Sequence, residues 1–177
     1  MADKIAMIAG HRPEKLFGYD LMNEKYLRIR MAIRDILTRE DAIEFWTGLE
    51  PACGMLGALV AVDMQENSSD IKLNIAIPGK DHKDYRWPQP VRDLYDAVLY
   101  RSDRTDMLTD DACSTWVLEQ CRRYMADQCD FAIIIYNGTP GATANCIKYL
   151  RKTGKAIWFI DPYKPGNPVF VPAPNRH

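Results

Sequence analysis

The chain has 177 residues, 47% of them apolar, and its acidic and basic side chains nearly cancel to a formal net charge of −1. This length suits one well-buried domain rather than two, and the composition is that of an ordinary globular protein. The chain is near-neutral and has no basic patch, so its surface has no general positive electrostatic potential that would attract nucleic acid or an anionic membrane. We therefore expect neither as a partner.

The sequence shows no feature of secretion, membrane insertion or metal binding. No apolar run is long enough to span a bilayer, and the first residues have the pattern of a strand, so we expect a cytoplasmic protein. The five cysteines form no CxxC pair and no cluster with the three histidines. We therefore expect free thiols, no disulfide framework, no metal site and no cofactor.

Apolar runs typical of buried strands alternate with amphipathic segments typical of helices along the whole chain. The pattern predicts strands over 4–9, 43–47, 71–77, 105–108, 131–135 and 156–160. It predicts helices from about residue 26 to 39, over 54–64, 91–101 and 112–126, and after residue 141. Pro51 is expected near the first turn of the second helix, Asp111 is expected to cap the fourth, and Trp116 is expected on its apolar face.

This alternation predicts an α/β fold, a single domain whose mainly parallel sheet is covered by helices on both faces. We expect the domain over residues 1–162 and an extended, proline-rich C-terminal tail over 163–177 that lies on the surface or reaches a partner subunit. In such sheets ligands bind beyond the carboxyl ends of the strands, at the switch point. That rule selects the loops at 10–19, 48–54 and 137–143.

The third loop has the pattern of a phosphate-binding turn. An apolar run ends before Gly138 and Gly141, which allow close backbone approach, and a helical segment with Thr143 and Asn145 follows. Unpaired N–H groups at the start of that helix suit an anion. The alternative is an ordinary glycine-containing connection, because the spacing matches neither the P-loop nor GxGxxG.

The first two loops supply polar side chains to the same edge. Arg12 can grip a phosphate or carboxylate in two places, and His11 either contacts a ligand or ties down the loop through hydrogen bonds. Glu50 can accept from a pair of ribose hydroxyls or act as a general base, and the alternative is stabilisation of the following helix. Trp87 can close over a base by stacking, form an interface, or be buried against the domain.

Five segments resemble those of the YpsA family, a branch of the SLOG superfamily of Rossmann-like domains, in the family's order from residue 5 to about residue 162. AGHRPEKLFGYD is similar to the opening TGHRP segment, FWTGLEPACGMLGALVA to the strand, glycine loop and small-residue helix, and IAIPGKDHKDYRWP to the iPf…rWp stretch. The family's yMvd.sD…iavydG segment is similar to RRYMADQCDFAIIIYNG. Its closing GGTAntvryA…GK…i.ID segment is similar to GATANCIKYLRKTGKAIWFIDP. The superfamily also includes the LOG phosphoribohydrolases and the DprA DNA-processing proteins.

Several positions depart from the patterns of these families. Ala9 stands where Thr is usual, residues 48–54 lack the second loop's sGmAlGvD pattern, and Ala142 replaces the second glycine of GGT. The LOG pattern PGGxGTxxE ends in a catalytic Glu, and its position here is held by Cys146 or, with a shift of one, by Asn145. Neither side chain can replace a carboxylate, so the resemblance supports the ligand site and weakens the LOG reaction.

The resemblance implies a Rossmann-like fold, binding of a nucleotide or a nucleotide-derived small molecule for sensing, sequestering or processing, and a homodimer or higher homo-oligomer. One alternative is a nucleotide N-glycosidase or phosphoribohydrolase-like hydrolase with Glu50 as the catalytic carboxylate. Another is an interaction scaffold with a vestigial pocket. The sequence does not decide whether the chain is an enzyme. The expected ligand-binding residues are Gly10, His11, Arg12, Gly48, Glu50, Asn137, Gly138, Gly141, Ala142, Thr143 and Asn145.

Overall fold

The computed structural model describes residues 3–175, so the two outer ends of the predicted domain and tail lie outside the described residues. The strands are β1 (Lys4–Gly10), β2 (Ala42–Thr47), β3 (Lys72–Ile77), β4 (Arg104–Met107), β5 (Phe131–Ile135), β6 (Ala156–Ile160) and β7 (Val169–Val171). The helices are α1 (Glu24–Arg39), α2 (Cys53–Glu66), α3 (Gln89–Arg101), α4 (Thr115–Gln128) and α5 (Ala142–Lys152), with a short 3-10 turn at Pro13–Lys15.

The seven strands form one sheet in the order β4-β3-β2-β1-β5-β6-β7, parallel except for β7. Helices α1, α2 and α3 pack side by side on one face, and α4 and α5 pack together on the other. This arrangement confirms the predicted three-layer, Rossmann-like α/β fold. The strand order reverses between β1 and β5, so the switch point lies at their carboxyl ends.

Helix α2 is apolar on nearly every side because it lies between α1 and α3 and against the sheet. Gly57 lets it approach the strands closely, since a Cβ at that position would lie 2.9 Å from Ile8 Cγ2 and 3.1 Å from the Phe45 ring. The small residues of this helix therefore serve packing, and the start of α2 is held firmly at the carboxyl edge of the sheet.

The starts of two helices differ from the predictions. Helix α4 begins at Thr115, where the Ser114 hydroxyl accepts from the Val117 N–H at 3.2 Å, and the predicted cap Asp111 lies in the preceding loop. The Asp111 carbonyl accepts from the Lys80 N–H at 3.0 Å, and this bond holds the β4–α4 loop against the β3–α3 loop instead of starting a helix. Trp116, expected on the apolar face, is 63% exposed in the first turn.

In α2, the N-cap is Ala52, so Pro51 lies just before the helix rather than in its first turn.

The proline-rich segment after residue 162 contains a strand that its sequence pattern does not predict. Within it, Val169–Val171 form β7, which pairs antiparallel with β6 at the edge of the sheet. The Phe170 ring packs on Trp158 with ring centroids 5.0 Å apart. Residues from the segment expected as a surface tail therefore extend the sheet itself.

Candidate functional site

The three loops selected from the sequence meet above the carboxyl ends of β1, β2 and β5. The His11 N–H donates to the Ile135 carbonyl at 3.3 Å, which continues the β1–β5 pairing into the loops. The Cys53 thiol at the start of α2 donates to the His11 carbonyl at 3.4 Å. These contacts bring the ends of the first, second and third loops to one place at the switch point.

Gly10 is required at this junction by close packing. A Cβ on Gly10 would lie 2.4 Å from Cys53 Sγ and 2.8 Å from the Ile135 carbonyl oxygen, closer than atoms of these kinds approach. The sequence indicated a glycine that frees the backbone to turn, but the structural reason is the tight fit of β1 between α2 and β5.

The meeting point of the three loops is called the crevice, and the His11 side chain is buried beneath it, with 3% of its surface exposed. Its Nε2 accepts from the Asn137 N–H at 3.0 Å, so Nδ1 carries the proton and donates to the Thr143 hydroxyl at 3.4 Å. Burial and the nearby Lys15 charge lower the pKa of His11, which favours this neutral form. Of the two roles open from the sequence, the geometry corresponds to tying down the loop, because both ring nitrogens are already bonded.

The β5–α5 loop leaves an open helix N-terminus. Gly138 and Gly141 have positive φ angles of 88° and 136°, which only glycine adopts readily. Asn145 is the first residue to close a helical hydrogen bond, donating to the Gly141 carbonyl at 3.0 Å. Before it, three backbone N–H groups at the start of α5 have no hydrogen-bond acceptor within residues 3–175. They belong to Ala142, Thr143 and Ala144. They are available to an anion.

The Asn137 side chain shapes this loop from within. Its Oδ1 accepts from the Thr139 N–H at 3.1 Å and from the Thr139 hydroxyl at 2.6 Å. The Asn137 N–H is taken up by His11 Nε2 and the Thr143 hydroxyl is bonded to His11 Nδ1, so of these two residues only Thr143 has a free backbone N–H group to offer a ligand. Asn145 lies exposed one turn into α5.

Lys15 is a functional candidate that the sequence reasoning missed. Its ammonium group donates to the Pro140 carbonyl at 3.1 Å and to the Thr139 hydroxyl at 3.4 Å, across the loop that carries Gly141. Arg12 follows His11 in the first loop and is exposed, and its side chain has no hydrogen-bond or ion-pair partner in the described part of the chain. Lys15 therefore lies beside the open end of α5, and Arg12 is a second, unpaired cation of the same loop. The only sequence signal for Lys15 was its place in the GHRPEKLFGYD segment.

The β2–α2 loop holds Glu50 in a tight and strained environment. Its neighbours Leu49 and Ala52 have φ angles of 57° and 69°, unusual for residues with a side chain. A Cβ on Gly48 would lie 2.8 Å from Glu50 Oε2, and one on Gly54 would lie 2.5 Å from it. Glycines at 48 and 54 are thus needed to seat this carboxylate against the first turn of α2. Burial raises the pKa of Glu50, and the positive charge of Arg122 opposes the shift.

Arg122 is the second candidate that sequence reasoning missed. It lines a small cavity between α4 and α5 together with Ala142, Asn145 and Cys146. Its position in the middle of α4 gave no signal, because a helical pattern does not indicate which arginine lines a cavity against another helix. Burial raises the pKa of the Cys146 thiol to about 12, so Cys146 is not a ready nucleophile.

The loop that contains Trp87 is packed against the domain. Trp87 is half-buried beside the α1–α3 core, with its ring edge-on to His82 at a centroid distance of 5.9 Å. His82 is 7% exposed, and its Nδ1 lies 3.0 Å from the Tyr95 hydroxyl. Of the three roles open from the sequence, this geometry corresponds to burial against the domain.

Most of the chain matches a known group of proteins. A family model, described as the YspA SLOG family, matches residues 6–165. The chain belongs to the YpsA family. This confirms the resemblance drawn from the five sequence segments.

Two curated relatives of this YpsA-family chain are UPF0398 proteins from bacilli. The one from Bacillus licheniformis is 27% identical over 139 residues, covering 76% of this chain and 75% of that protein. UPF0398 protein YpsA of Bacillus subtilis is 25% identical over 167 residues, covering 89% of this chain and 92% of that protein.

Among solved structures, the chain is similar to DNA processing protein A (DprA) from Streptococcus pneumoniae. The TM-score is 0.63 at 13% sequence identity, and the match covers 90% of this chain and 50% of that one. The chain therefore spans about half the length of that protein, and the likeness shows a shared fold. No helix of the described residues is long and apolar enough to cross a membrane.

Proposed function

We propose that this protein binds a nucleotide or a nucleotide-derived small molecule at the carboxyl ends of its strands. Its phosphate contacts the start of α5 over residues 138–143, with Lys15 and Arg12 beside it. The observation that carries the proposal is the open first turn of α5, with free N–H groups and a lysine lying across its loop. Membership of a SLOG family and a DprA-like fold are consistent with a nucleotide-related function.

The expected ligand-binding residues have different parts in this proposal. Gly10 and His11 hold the crevice in shape from below, and Arg12 contacts the ligand from the mouth. Gly138 and Gly141 let the phosphate approach the backbone. Gly48 and Glu50 form the wall at the start of α2, and Asn137, Ala142, Thr143 and Asn145 form the wall at the start of α5.

Thermal unfolding in the presence of nucleoside monophosphates tests the proposal. A ligand at a hundred times its dissociation constant should stabilise the folded protein by about 2.7 kcal/mol. Lys15→Gln should weaken binding about tenfold, because it removes a charged partner of the phosphate. Lys152→Gln is the matched control, since it removes the same charge in the last turn of α5.

The wild-type and control proteins should respond alike. A wild-type protein whose melting temperature no mono-, di- or cyclic nucleotide raises would overturn the proposal in favour of an interaction scaffold with a vestigial pocket.

A second candidate function is hydrolysis of an N-glycosidic bond in a nucleotide, with Glu50 as the catalytic carboxylate. The specific observation in its favour is a partly buried carboxylate with a raised pKa between two strained residues at the crevice. Chromatography of nucleoside monophosphates incubated with the protein tests it. Release of free base that disappears in Glu50→Gln would support hydrolysis, and no release would leave the binding function alone.

We further propose that the chain acts as a homodimer or a higher homo-oligomer in the cytoplasm. The exposed aromatic side chains of Trp116 and Tyr163, 63% and 66% exposed, are candidate contacts between copies. Sedimentation that shows only a monomer at high concentration would exclude such an assembly.

A further inference from the structure

A groove of about 300 Å³ lies between the last turns of α1 and α2. Ala42, the first residue of β2, is part of its lining. Because the crevice lies at the carboxyl ends of the parallel strands, this groove is at the opposite edge of the sheet. Its volume is that of a small-molecule site, and the nucleotide proposal does not use it.

The groove has an apolar inner wall and a polar rim. Leu37 and Met64 line it and are 1% and 8% exposed, so they form the inner wall. Thr38 and Asn67 line it and are exposed at the rim. The Asn67 Nδ2 donates to the Asp63 carbonyl at 2.8 Å, which leaves its Oδ1 free, and the Thr38 hydroxyl has no partner within residues 3–175. The rim therefore offers oxygen acceptors above an apolar surface.

The unpaired charge of the lining is negative. The Arg34 Nη1 donates to Asp63 Oδ2 at 2.8 Å, so this guanidinium is already paired across the two helices. The Asp41 carboxylate is exposed and has no hydrogen-bond or ion-pair partner in the part of the chain that the structure describes. Helices α1 and α2 both end at the groove, so the negative ends of both helix dipoles lie beside it. These charges together favour a cation.

Asp41 breaks a local preference that the fold does not require it to break. It follows Glu40, the C-cap of α1, and has a φ angle of 52°. Glycine or asparagine is the usual residue in this position, and a carboxylate there is repelled by the helix dipole. The Asp41 backbone N–H donates to the Thr38 carbonyl at 3.2 Å, a bond that asparagine would keep. A negative charge without a structural gain is expected of a binding residue.

We propose that this groove binds a small organic cation, a protonated amine attached to an apolar body. The ammonium group contacts the Asp41 carboxylate and the oxygens of Thr38 and Asn67. The apolar body packs on Leu37 and Met64. Since the groove and the crevice lie at opposite edges of the sheet, this proposal does not depend on the nucleotide proposal.

A titration followed by NMR with three probes of similar size tests the proposal. The probes are phenethylamine, phenethyl alcohol and phenylacetate, which share an aromatic body and are cationic, neutral and anionic. The amine should bind wild-type protein most tightly and shift the amide signals of Thr38, Asp41 and Asn67. Asp41→Asn should weaken the amine about tenfold and the alcohol by less than about twofold, because only the amine loses a charged partner.

Asp35→Asn is the matched control. It removes the same charge from an exposed position of α1 that does not line the groove, and it should leave the binding of all three probes unchanged. An effect as large as that of Asp41→Asn would show attraction by the surface charge in general and would overturn the proposal.

The other outcomes also decide the question. If the alcohol binds as tightly as the amine, the groove does not select a cation, and the proposal is refuted. If phenylacetate binds most tightly, Arg34 rather than Asp41 determines the ligand, and the proposal is equally refuted. If no probe shifts the signals of the groove residues, the groove is not a binding site for this class of molecule.

The ligand-free protein provides an independent readout. Asparagine suits the backbone conformation at position 41 and removes the repulsion from the dipole, so Asp41→Asn should leave the melting temperature unchanged or raise it. A marked fall, with no fall in Asp35→Asn, would show that the Asp41 carboxylate has a structural role and would contradict the proposal.

Discussion

His82 is a buried histidine whose surroundings favour the neutral imidazole. Burial, assisted by the positive charge of Arg122, lowers its pKa to about 4, and its Nδ1 is hydrogen-bonded to the Tyr95 hydroxyl. The pKa in the unfolded chain is about 6.5. Because the folded pKa is the lower one, the unfolded chain takes up the proton first as the pH falls. His82 therefore stabilises the fold fully above pH 6.5, and this contribution is lost between pH 6.5 and about 4.

His82→Asn should make the stability of the protein less dependent on pH. The variant keeps a polar group near Tyr95 but cannot take up a proton. The difference in unfolding free energy between wild type and variant should change by about 3 kcal/mol between pH 7 and pH 4, in favour of the variant at the lower pH. Urea unfolding at several pH values in that interval measures it. A difference that stays constant with pH would show that protonation of His82 is not coupled to folding.

At the scale of one element, two residues before α4 could cap the helix, and contacts with another loop decide which of them does. Asp111 and Ser114 are both good N-cap residues, and both precede the helix. The Asp111 backbone is bonded to the β3–α3 loop, so the helix begins three residues later than the sequence pattern alone suggested.

Ser114→Ala should lower the unfolding free energy by about 1 kcal/mol, because the Val117 N–H loses its acceptor. Asp111→Ala is the matched control. It leaves the Asp111 carbonyl bond to Lys80 in place and should change stability by less than about 0.5 kcal/mol. Denaturant unfolding of both variants measures the difference. A larger loss in Asp111→Ala than in Ser114→Ala would contradict this cap assignment.

At the scale of the whole molecule, β7 closes one edge of the sheet. It covers the outer side of β6, and Phe170 covers part of the Trp158 ring, which is 6% exposed. Trp158 also donates to the Glu40 carboxylate at 3.0 Å after α1, so this edge connects the end of the chain to the first helix.

A chain that ends at Asn167 lacks β7 and should be less stable by roughly 2 kcal/mol, since it exposes much of Trp158. For a protein of this size that corresponds to a fall of about 4–8 °C in the melting temperature. A chain that ends at Ala173 keeps β7 and should melt like the wild type. Equal melting temperatures for all three chains would show that residues 168–173 act only as a surface tail.

Much of the fold could be predicted because its causes are local in the sequence. Runs of apolar residues predicted six of the seven strands, and the spacing of apolar positions predicted all five helices to within a few residues. The exception was β7, only three residues long and flanked by Pro168 and Pro172. It forms a strand because β6 offers a free edge, which no local pattern reveals.

The candidate site also has features that the sequence predicted and features that only the tertiary structure revealed. Glycines 138 and 141 before a helix predicted an open turn from the sequence alone, because a positive φ angle and unpaired N–H groups are properties of a short segment. The family resemblance added which loops belong together. The positions of Lys15 and Arg122 came only from the tertiary structure, since a contact such as that of Lys15 with Thr139 joins residues 124 positions apart.

By itself, then, the sequence determined the layers of this protein, the edge of the sheet that carries its crevice and the glycine turn at the start of α5. These depend on periodic burial and backbone preference, which act over a few residues. The tertiary structure alone decided that His11 is bonded through both ring nitrogens, that Gly10 is needed for packing, and that Lys15 reaches the Pro140 carbonyl across the β5–α5 loop. Those facts depend on the distances between elements, which are set when the whole sheet and its two helical layers pack together.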